Sequence, residues 1–515
     1  MTAIFLRLRQ WVGFDPIAWL GHTRRMQRRV TDYFAATAPV DGPTRVLVVV
    51  TPWQGTGIPW FSLVVGLMLG NRGATVTFVV DDQQFGGNAI RHAFILRCIR
   101  AVMPIVARRH RVIDLAAFAP GPDHGDGAVI ERLAQWNATW ALRGETLVAG
   151  RSAFEAQARA QLTRADGRIA AVVATVPANI LFVPGGVYGT SGLWVDRARR
   201  RGIRIASYDN GGYGMGMFAV DGIACHLADI PPTFRAIRQR CATDPAERGF
   251  IMAAATHEIA KRRQGTDAFS SQIVDTQDVA IAADLASGVL LALNSSWDSA
   301  ALGRHHVFAD SSAWIVATVR HLLENSGVPV IVRQHPAERL AFARTTDDYR
   351  GLLAHHFGSH PRLHFIAAES PVNSYTLLAQ VGSVVVHTST IGTEATIFGR
   401  PVVTSSMPYY ADLGFVWRAA DRAEYLALLD DAAAGRLVVT DTMRDDARIC
   451  FYATQICSWV KAVFNPEDFR QWSRRDFTAL EADPAIVRLL EALLHNTPVA
   501  LSNHLARVAA CAESG

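Results

Sequence analysis

The chain has 515 residues, of which half are hydrophobic and 19% are charged, and its formal net charge is +5. This length favours two domains of about 200 residues each, and the composition is typical of a well-packed globular protein. A net charge this small for the length gives little support for a polyanion partner, so we expect no contact with nucleic acid.

The six cysteines are scattered along the chain without a Cys-x-x-Cys motif or a Cys/His cluster. Their spacing argues against a disulfide framework and a structural zinc site, and it suits a reducing cytoplasm. No apolar run approaches the roughly 20 residues that span a bilayer. The first residues also lack the pattern of a signal peptide. We therefore expect a cytoplasmic protein.

Residues 1–40 are predicted to form a basic amphipathic helical segment, in which aromatic and aliphatic residues alternate with arginines. One interpretation is a helix that packs on the body of the protein and exposes a solvated basic face. The alternative is peripheral docking on an anionic inner-membrane surface through residues 1–30.

A first series of alternating strands and helices occupies residues 41–285. The run TRVLVVV (44–50) predicts a buried strand, and the loop after it contains Gly55 and Gly57. A helix and a second strand follow, as in a right-handed βαβ unit with parallel strands. Later in the series, the strand IRIASYD is predicted to end at Asp209, before a glycine-rich loop.

A second series occupies residues 286–440, and a helical segment is predicted over residues 441–515. From Asp421 onward the pattern predicts helices alone, which either cap the second series or cross back over the first. The predicted fold class is therefore α/β, with two facing Rossmann-like, doubly wound domains and helical extensions at both ends. Four polar loops should then follow the carboxyl ends of strands and converge on one cleft.

His335 follows one strand of the second series and precedes Pro336, which stiffens the backbone and fixes the direction of the imidazole. A histidine held in this way can donate to a phosphate oxygen and stabilise the charge that grows on a leaving nucleotide. The alternative is a histidine that only caps its own loop.

The segment HTSTIGTEA supplies hydroxyls, a glycine and an acid between a strand and a helix. Such a loop can surround a phosphate at the helix N-terminus, and Glu394 can accept hydrogen bonds from ribose hydroxyls or complement the helix dipole. The candidate ligand-binding residues are Arg333, Pro336, Ser370, Asn373, Ser374, His387, Thr388, Ser389, Thr390, Gly392, Glu394, Asn294, Ser295, Gly55 and Gly57.

Asp209 is the candidate general base in the first series, because the glycines after it would leave its carboxylate facing the cleft. An Asx turn, in which Asp209 bonds only to its own loop, explains the same pattern. The chain lacks a complete dinucleotide fingerprint and a P-loop, so we expect no bound cofactor. No spaced set of carboxylates and histidines suggests a metal site.

The segments NSSWDSA, VIVRQHPAER, SPVNSYTLLAQ and HTSTIGTEATIFGRPVV, in this order, resemble the nucleotide-sugar-binding half of GT-B glycosyltransferases. Within that group they most resemble bacterial capsular-polysaccharide transferases of the Kdo, sialyl and polysialyl types. The resemblance implies that residues 41–285 bind the acceptor and residues 286–440 bind the nucleotide-sugar.

The resemblance also implies roles for single residues. The sialyltransferase pattern has an acidic pair before glycine, a His-Pro and a Ser/Thr pair, and the chain carries the last two as His335-Pro336 and Ser389-Thr390. Asp209 would be the base and His335 would stabilise the departing phosphate. Asn210 stands where the pattern has its second acid.

The implied function is metal-independent transfer of a sugar, preferably from a CMP-linked donor, to a hydroxyl of a surface or capsular glycan or glycolipid. Two alternatives remain: a CDP-alcohol glycerophosphotransferase of the teichoic type and a catalytically silent scaffold of polysaccharide assembly. A nucleotide-sugar 2-epimerase shares the fold, but the extra carboxylates expected around its cleft are not identifiable here.

Overall fold

The computed structural model describes residues 15–38, 42–53, 57–82, 88–122, 126–146, 148–212, 215–267, 271, 285–461 and 469–514. The chain divides into two compact units, each assembled from separate stretches of sequence. The first unit contains residues 1–137, 152–229 and 458–503, and the second contains residues 138–151, 230–457 and 504–515.

The first unit is built on a sheet with the strand order β13-β6-β5-β4-β1-β2-β3. Neighbouring strands from β3 to β5 pair in parallel, in the 3-2-1-4-5 order of a Rossmann unit, and β6 and β13 extend the sheet by antiparallel pairing. Its strands are β1 Arg45–Val50, β2 Thr75–Val80, β3 Arg111–Asp114, β4 Ile180–Pro184, β5 Arg204–Gly212, β6 Met215–Ala219 and β13 Trp459–Lys461.

Helices cover this sheet and complete the core of the first unit. Helix α2 (Ile58–Asn71) is apolar almost all round, and all but its last residue are buried, as expected for a helix enclosed by other elements. The described helices up to residue 200 are α1 Pro16–Ala36, α2, α3 Ala89–Val106, α4 Gly127–Leu142, α5 Arg151–Thr175 and α6 Ser191–Arg200.

The second unit has a sheet with the order β12-β11-β10-β7-β8-β9, in which each neighbouring pair is parallel. This is the complete 3-2-1-4-5-6 order of a doubly wound fold. The prediction of an α/β chain with two Rossmann-like domains is therefore confirmed. The strands are β7 Val289–Ala292, β8 Val330–Arg333, β9 Leu363–Ile366, β10 Ser383–Val386, β11 Val402–Thr404 and β12 Trp417–Arg418.

The remaining helices follow in chain order. They are α7 Ile230–Cys241, α8 Pro245–Arg263, α9 Ser311–Asn325, α10 Tyr349–Phe357, α11 Ser374–Gln380, α12 Ile391–Ile397, α13 Arg422–Ala433, α14 Asp441–Tyr452, α15 Phe469–Trp472, α16 Phe477–Glu481, α17 Pro484–His495 and α18 Val499–Ser514. The predicted boundaries at residues 40, 285 and 440 stay predictions.

The amino-terminal segment is helical where it is described. Asp15 caps α1 by accepting from the Ala18 N–H, and residues 1–14 lie outside the described residues. One face of α1, which includes Trp19, Met26 and Tyr33, is buried in the core of the first unit. The helix therefore packs on the protein, while contact of residues 1–30 with a membrane stays a prediction.

Two expectations about strands are wrong. Strand β5 does not stop at Asp209 but continues to Gly212 and pairs with β6, with a bulge between Asn210 and Gly212. Glycine is needed at Gly211, because a Cβ there would lie 2.4 Å from the Trp459 ring. Strand β13 also contradicts the prediction of helices alone after Asp421. A strand of three residues is too short to show a periodic pattern in the sequence.

None of the helices in the described ranges is both long enough and apolar enough to cross a membrane.

A buried ion pair joins two helices of the first unit. Arg197 on α6 donates to both carboxylate oxygens of Asp166 on α5, at 2.8 and 2.6 Å, and both side chains are less than 8% exposed. A paired buried charge is tolerated, but a buried charge that loses its partner is strongly destabilising.

We expect Asp166→Ala to lower the free energy of unfolding by about 3–5 kcal/mol, because it leaves the guanidinium buried without its carboxylate. Glu131→Gln is the matched control, since the Glu131–Arg159 pair is more than 40% exposed on both sides and should contribute about 0–1 kcal/mol. Urea unfolding followed by tryptophan fluorescence measures both. Equal effects of the two variants would contradict the role of burial.

Candidate functional site

A pocket opens at the carboxyl edge of the second sheet, where β7 and β10 lie side by side. This is the position at which the strand order reverses and at which doubly wound folds bind ligands. Its volume is about 90 Å³. The lining residues are Arg262, Ala292, Leu293, Arg333, His335, Pro336, Ser370, Val372, Asn373, Ser374, Tyr375, Ser389, Thr390, Ile391 and Glu394.

His335 lines this pocket as a neutral imidazole. It follows β8, and Pro336 begins a single 3₁₀ turn in which the Ala337 N–H donates to Nδ1 of His335 at 3.2 Å. Burial, with help from Arg333 and Arg262, lowers the pKa of His335 from 6.5 to about 4. At neutral pH the imidazole is therefore uncharged, and its proton lies on Nε2, the nitrogen that remains free to donate to a ligand.

Arg333 is a buried cation at the end of β8. Its side chain donates to the carbonyl oxygens of Ala367 and, at 3.1 Å, Val372, and Arg333 is only 4% exposed. Burial lowers its pKa to about 10, so the guanidinium stays charged at neutral pH. No carboxylate of the described chain forms an ion pair with it, and Nε has no hydrogen-bond partner there.

Arg262 lines the pocket but was not among the residues predicted from the sequence. It lies in the last turn of α8, where the run Lys-Arg-Arg resembles an ordinary basic helix end. Its Nη1 lies 3.4 Å from Oε1 of Glu394, and both side chains are at most 12% exposed. Burial lowers the pKa of Arg262, but Glu394, Tyr375, Asp267 and Tyr409 together outweigh this effect, and the net shift is upward. The sequence offers one indirect indication of such a residue: if Glu394 is buried, its carboxylate needs a cation nearby.

Glu394 is held by two groups within the pocket. Tyr375 donates its hydroxyl to Oε2 at 3.1 Å, and Arg262 approaches the other oxygen. Burial raises the pKa of Glu394, and Arg262 opposes this rise. These contacts fix the carboxylate in a position from which it can still accept a hydrogen bond from a ligand hydroxyl.

The Ser389-Thr390 pair lies where the sequence placed it, between β10 and the helix α12. The Ser389 Oγ accepts from the Ile391 N–H at 3.4 Å, and the Ser389 carbonyl accepts from Tyr410 at 2.5 Å. The Thr390 hydroxyl has no partner in the described part of the chain.

Three more predicted residues, Ser370, Asn373 and Ser374, line the same pocket. Asn373 caps α11 by accepting from the Tyr375 N–H at 2.9 Å, and its amide donates to the Arg263 carbonyl at 3.4 Å. The Ser370 Oγ accepts from the Val372 N–H at 3.4 Å. Asn373 thus connects the end of α8, which carries Arg262, to the loop before α11.

His387 is buried outside the pocket lining and forms a chain of hydrogen bonds with His305 and Glu145. The two imidazoles are joined at 3.0 Å, and His305 Nε2 lies 2.6 Å from the Glu145 carboxylate. Burial lowers the pKa of His387 to about 3. This chain anchors the start of the Ser389 loop to residues 138–151 of the same unit.

Several other predicted residues also make contacts within the protein. Asn294 accepts from the Thr388 N–H at 3.4 Å, and Ser295 donates to Glu338 at 3.4 Å. A Cβ on Gly392 would lie 2.4 Å from the Tyr410 hydroxyl, so close packing explains this glycine. The four predicted residues among these are not part of the pocket lining; they are Asn294, Ser295, Thr388 and Gly392.

The remaining candidates belong to the first unit. Asp209 lies in β5, is half-buried and accepts from the Asn210 N–H at 2.8 Å. Gly57 is the residue before α2, and Gly55 lies outside the described residues. In the described ranges, no group of three or more His, Cys, Asp or Glu side chains could hold a metal ion.

The pocket lining carries a surplus of positive charge. Two arginines face one carboxylate, and the only histidine in the lining is neutral. Buried cations that exceed their carboxylates are stabilised by a bound anion, because desolvation otherwise makes them unfavourable. The arrangement can therefore bind a phosphate group and donate hydrogen bonds to it from Nε2 of His335, the hydroxyl of Thr390 and the guanidinium of Arg333.

The comparison with solved structures found matches of low sequence identity and low TM-score. The KpsC β-Kdo 2,4 transferase of Thermosulfurimonas dismutans is 15% identical, with 53% of this chain and 79% of that chain covered and a TM-score of 0.34. The MnaA–UDP co-structure from S. aureus is 10% identical over 87% and 96% of the two chains, with a TM-score of 0.27. MurG of Acinetobacter baumannii is 11% identical over 80% and 95%, with a TM-score of 0.25.

None of the curated proteins matches the chain. Residues 291–439 match the family described as "Capsule polysaccharide biosynthesis protein", and they contain every residue that lines the pocket except Arg262. The resemblance to capsular-polysaccharide biosynthesis proteins that the sequence predicted is therefore confirmed over this segment.

Proposed function

We propose that this chain is a glycosyltransferase that moves a sugar from a nucleotide-sugar to a hydroxyl of a surface or capsular glycan. The observation that carries the proposal is Arg333, a buried cation without a carboxylate partner in the described chain, beside the neutral His335. Both lie in the segment that matches the capsule family. The pocket would hold the phosphate of the donor.

The pocket chemistry suits a leaving nucleotide. As the bond between the anomeric carbon and the phosphate oxygen breaks, its electron pair moves onto the phosphate, where negative charge grows. The Nε2–H of His335 and the Arg333 guanidinium can strengthen their hydrogen bonds to that charge, which lowers the barrier. The acceptor hydroxyl forms the new bond to the anomeric carbon and gives its proton to a base, for which Asp209 is the candidate.

The charge of the lining favours a donor with one phosphate. Two arginines and one glutamate leave one surplus positive charge among the lining residues. A CMP-linked sugar carries one negative charge on its phosphodiester, whereas a UDP- or GDP-linked sugar carries two. Glu394 would accept from a ribose hydroxyl, because its Oε1 has no hydrogen-bond partner in the described chain.

The two alternatives predict different ligands. A CDP-alcohol glycerophosphotransferase would use the same pocket for a diphosphate, and a silent scaffold would bind no nucleotide. Independence from a metal ion, a cytoplasmic location and contact with the inner membrane are part of the proposal.

We expect His335→Ala to abolish the thermal stabilisation of the full chain by its nucleotide, and His335→Gln to retain much of it. Glutamine keeps a neutral N–H donor near the position of Nε2. For the wild type, free nucleotide at 100 times its Kd should add about 2.7 kcal/mol of stability. The measurement is a thermal shift with CMP, CDP, UDP and GDP.

His306→Ala is the control for this series, because His306 is an exposed histidine of the same unit. Selective stabilisation by CMP supports the CMP-linked donor, and stabilisation by CDP alone favours the glycerophosphotransferase. If no nucleotide stabilises the wild type, the phosphate pocket and the transferase proposal are both wrong.

The lowered pKa of His335 predicts a pH dependence of stability. The unfolded chain binds this proton near pH 6.5, and the folded chain binds it only near pH 4. The free energy of unfolding should therefore fall as the pH drops from 6.5 to 4, by up to roughly 3 kcal/mol from this residue. Chemical unfolding at several pH values should show a shallower fall for His335→Gln than for the wild type.

We expect Asp209→Asn to reduce turnover by a factor of about 100 or more, because a general base contributes about 10²–10⁴-fold. The thermal shift with nucleotide should be unchanged. Asp221→Asn is the control, since Asp221 is an exposed acid of the same unit. Turnover that survives Asp209→Asn would exclude this residue as the base and would leave the phosphate pocket untouched.

A further inference from the structure

The first unit has a cavity of about 310 Å³ at the amino edge of its sheet. Strands β1, β2 and β3 begin there, and their first residues are part of the lining. We call it the cationic cavity, after its lining residues Arg45, Arg109, His110 and Arg111. Rossmann units bind nucleotides at the opposite, carboxyl edge of the sheet.

The register of the three strands places two arginines on one face of the sheet. Arg45 pairs with Thr75, and Arg111 pairs with Thr77. Paired residues, and residues two apart on one strand, point to the same side. Arg45 and Arg111 therefore flank β2 on one face, with Cα atoms roughly 12 Å apart across two strand spacings and a two-residue offset along the strands. The two threonines lie between them.

The cationic cavity has no counter-charge in the described chain. Arg45, Arg109 and Arg111 form no ion pair there, whereas Arg100, Arg159 and Arg197 of the same unit each pair with a carboxylate. Arg109 donates to the carbonyl oxygens of Phe34 and Thr37, which fix its position but leave its charge uncompensated.

His110 forms a rigid wall of the cavity. Its ring packs against Phe34 and Phe78, with centroids 5.8 and 5.6 Å apart. A Cβ on Gly70 would lie 2.5 Å from the His110 ring, so the glycine allows this close packing. Burial lowers the pKa of His110 to about 4, and the positive charge of the cavity is therefore that of the arginines.

We propose that the cationic cavity is a second binding site, specific for a phosphate group with two negative charges. The guanidinium groups of Arg45 and Arg111 would grip the phosphate oxygens from two sides, as forked donors do with tetrahedral anions. The hydroxyls of Thr75 and Thr77 lie on the same face and would complete the shell. This site is separate from the donor pocket, since every lining residue belongs to the first unit.

The phosphate could belong to a free small molecule or to a phosphomonoester lipid headgroup. The two sources share the same chemistry, and Arg45 and Arg111 are exposed enough to meet either. Inorganic pyrophosphate serves as the free probe. Vesicles that contain phosphatidic acid serve as the lipid probe, with vesicles that contain twice the mole fraction of phosphatidylserine as the comparison of similar charge.

The test compares Arg45→Ala/Arg111→Ala with a control of equal charge, Arg164→Ala/Arg235→Ala, in the full chain. Arg164 and Arg235 are exposed arginines without an ion pair in the described structure. We expect calorimetry to show pyrophosphate binding that weakens at least tenfold in the first variant and stays within twofold in the control. His335→Ala should bind pyrophosphate at this cavity as the wild type does, which separates it from the donor pocket.

Sedimentation with vesicles decides the source of the phosphate. Binding to phosphatidic acid above phosphatidylserine, lost in the Arg45/Arg111 variant alone, assigns a lipid headgroup, and pyrophosphate binding without this lipid preference assigns a free ligand. The proposal is overturned if the Arg45/Arg111 variant and the control bind both probes equally, or if the wild type binds neither. The four arginine substitutions are at exposed positions, and an unchanged Tm verifies that each variant folds.

Discussion

The pocket of the second unit depends on an imbalance of buried charge. Among the residues that line the pocket, Arg333 and Arg262 are accompanied by one carboxylate, Glu394, and His335 is neutral. Burial of an unpaired guanidinium is unfavourable unless the protein surrounds it with acceptors. The carbonyl oxygens of Ala367 and Val372 provide that for Arg333. These carbonyl groups hold the cation in place without neutralising its charge.

The two sheets have a similar strand order, but the charged residues at their carboxyl edges differ in sign. In the first unit, Asp81 follows β2 at the carboxyl edge, is fully buried and accepts from the Thr190 hydroxyl and the Trp194 indole. In the second unit, the equivalent edge carries arginines and a histidine. The same fold therefore carries a buried, hydrogen-bonded aspartate in one unit and a pocket lined by arginines in the other. Function must accordingly be argued from the site rather than from the fold.

The sequence predicted the parts of the site that are encoded locally. The strand at 330–333, His335 with Pro336 and the Ser389-Thr390 loop are each adjacent in sequence to the strand that positions them, and parallel strands bring their ends together. Arg262 could not be predicted in this way. It comes from a helix more than 70 residues before His335, and only the folded chain shows that it lies against Glu394. His387 was placed in the ligand shell for its position in the loop, but its partners His305 and Glu145 are also remote in sequence.

The same limit explains the two wrong expectations about strands, the end of β5 and the existence of β13. Glycines after Asp209 suggest a turn when read alone, yet a bulged strand that packs under Trp459 requires a small residue at Gly211 just as strictly. The tryptophan is itself part of β13, which reaches the sheet from about 250 residues later in the chain. The requirement for glycine at Gly211 and the pairing of β13 both depend on the contact between Gly211 and Trp459. These residues are distant in sequence, so neither feature could be inferred without the other. Asp209 lies two residues before Gly211, and its carboxylate accepts from the Asn210 N–H at the start of the bulge. The backbone that carries this carboxylate is therefore shaped by the same contact between distant residues.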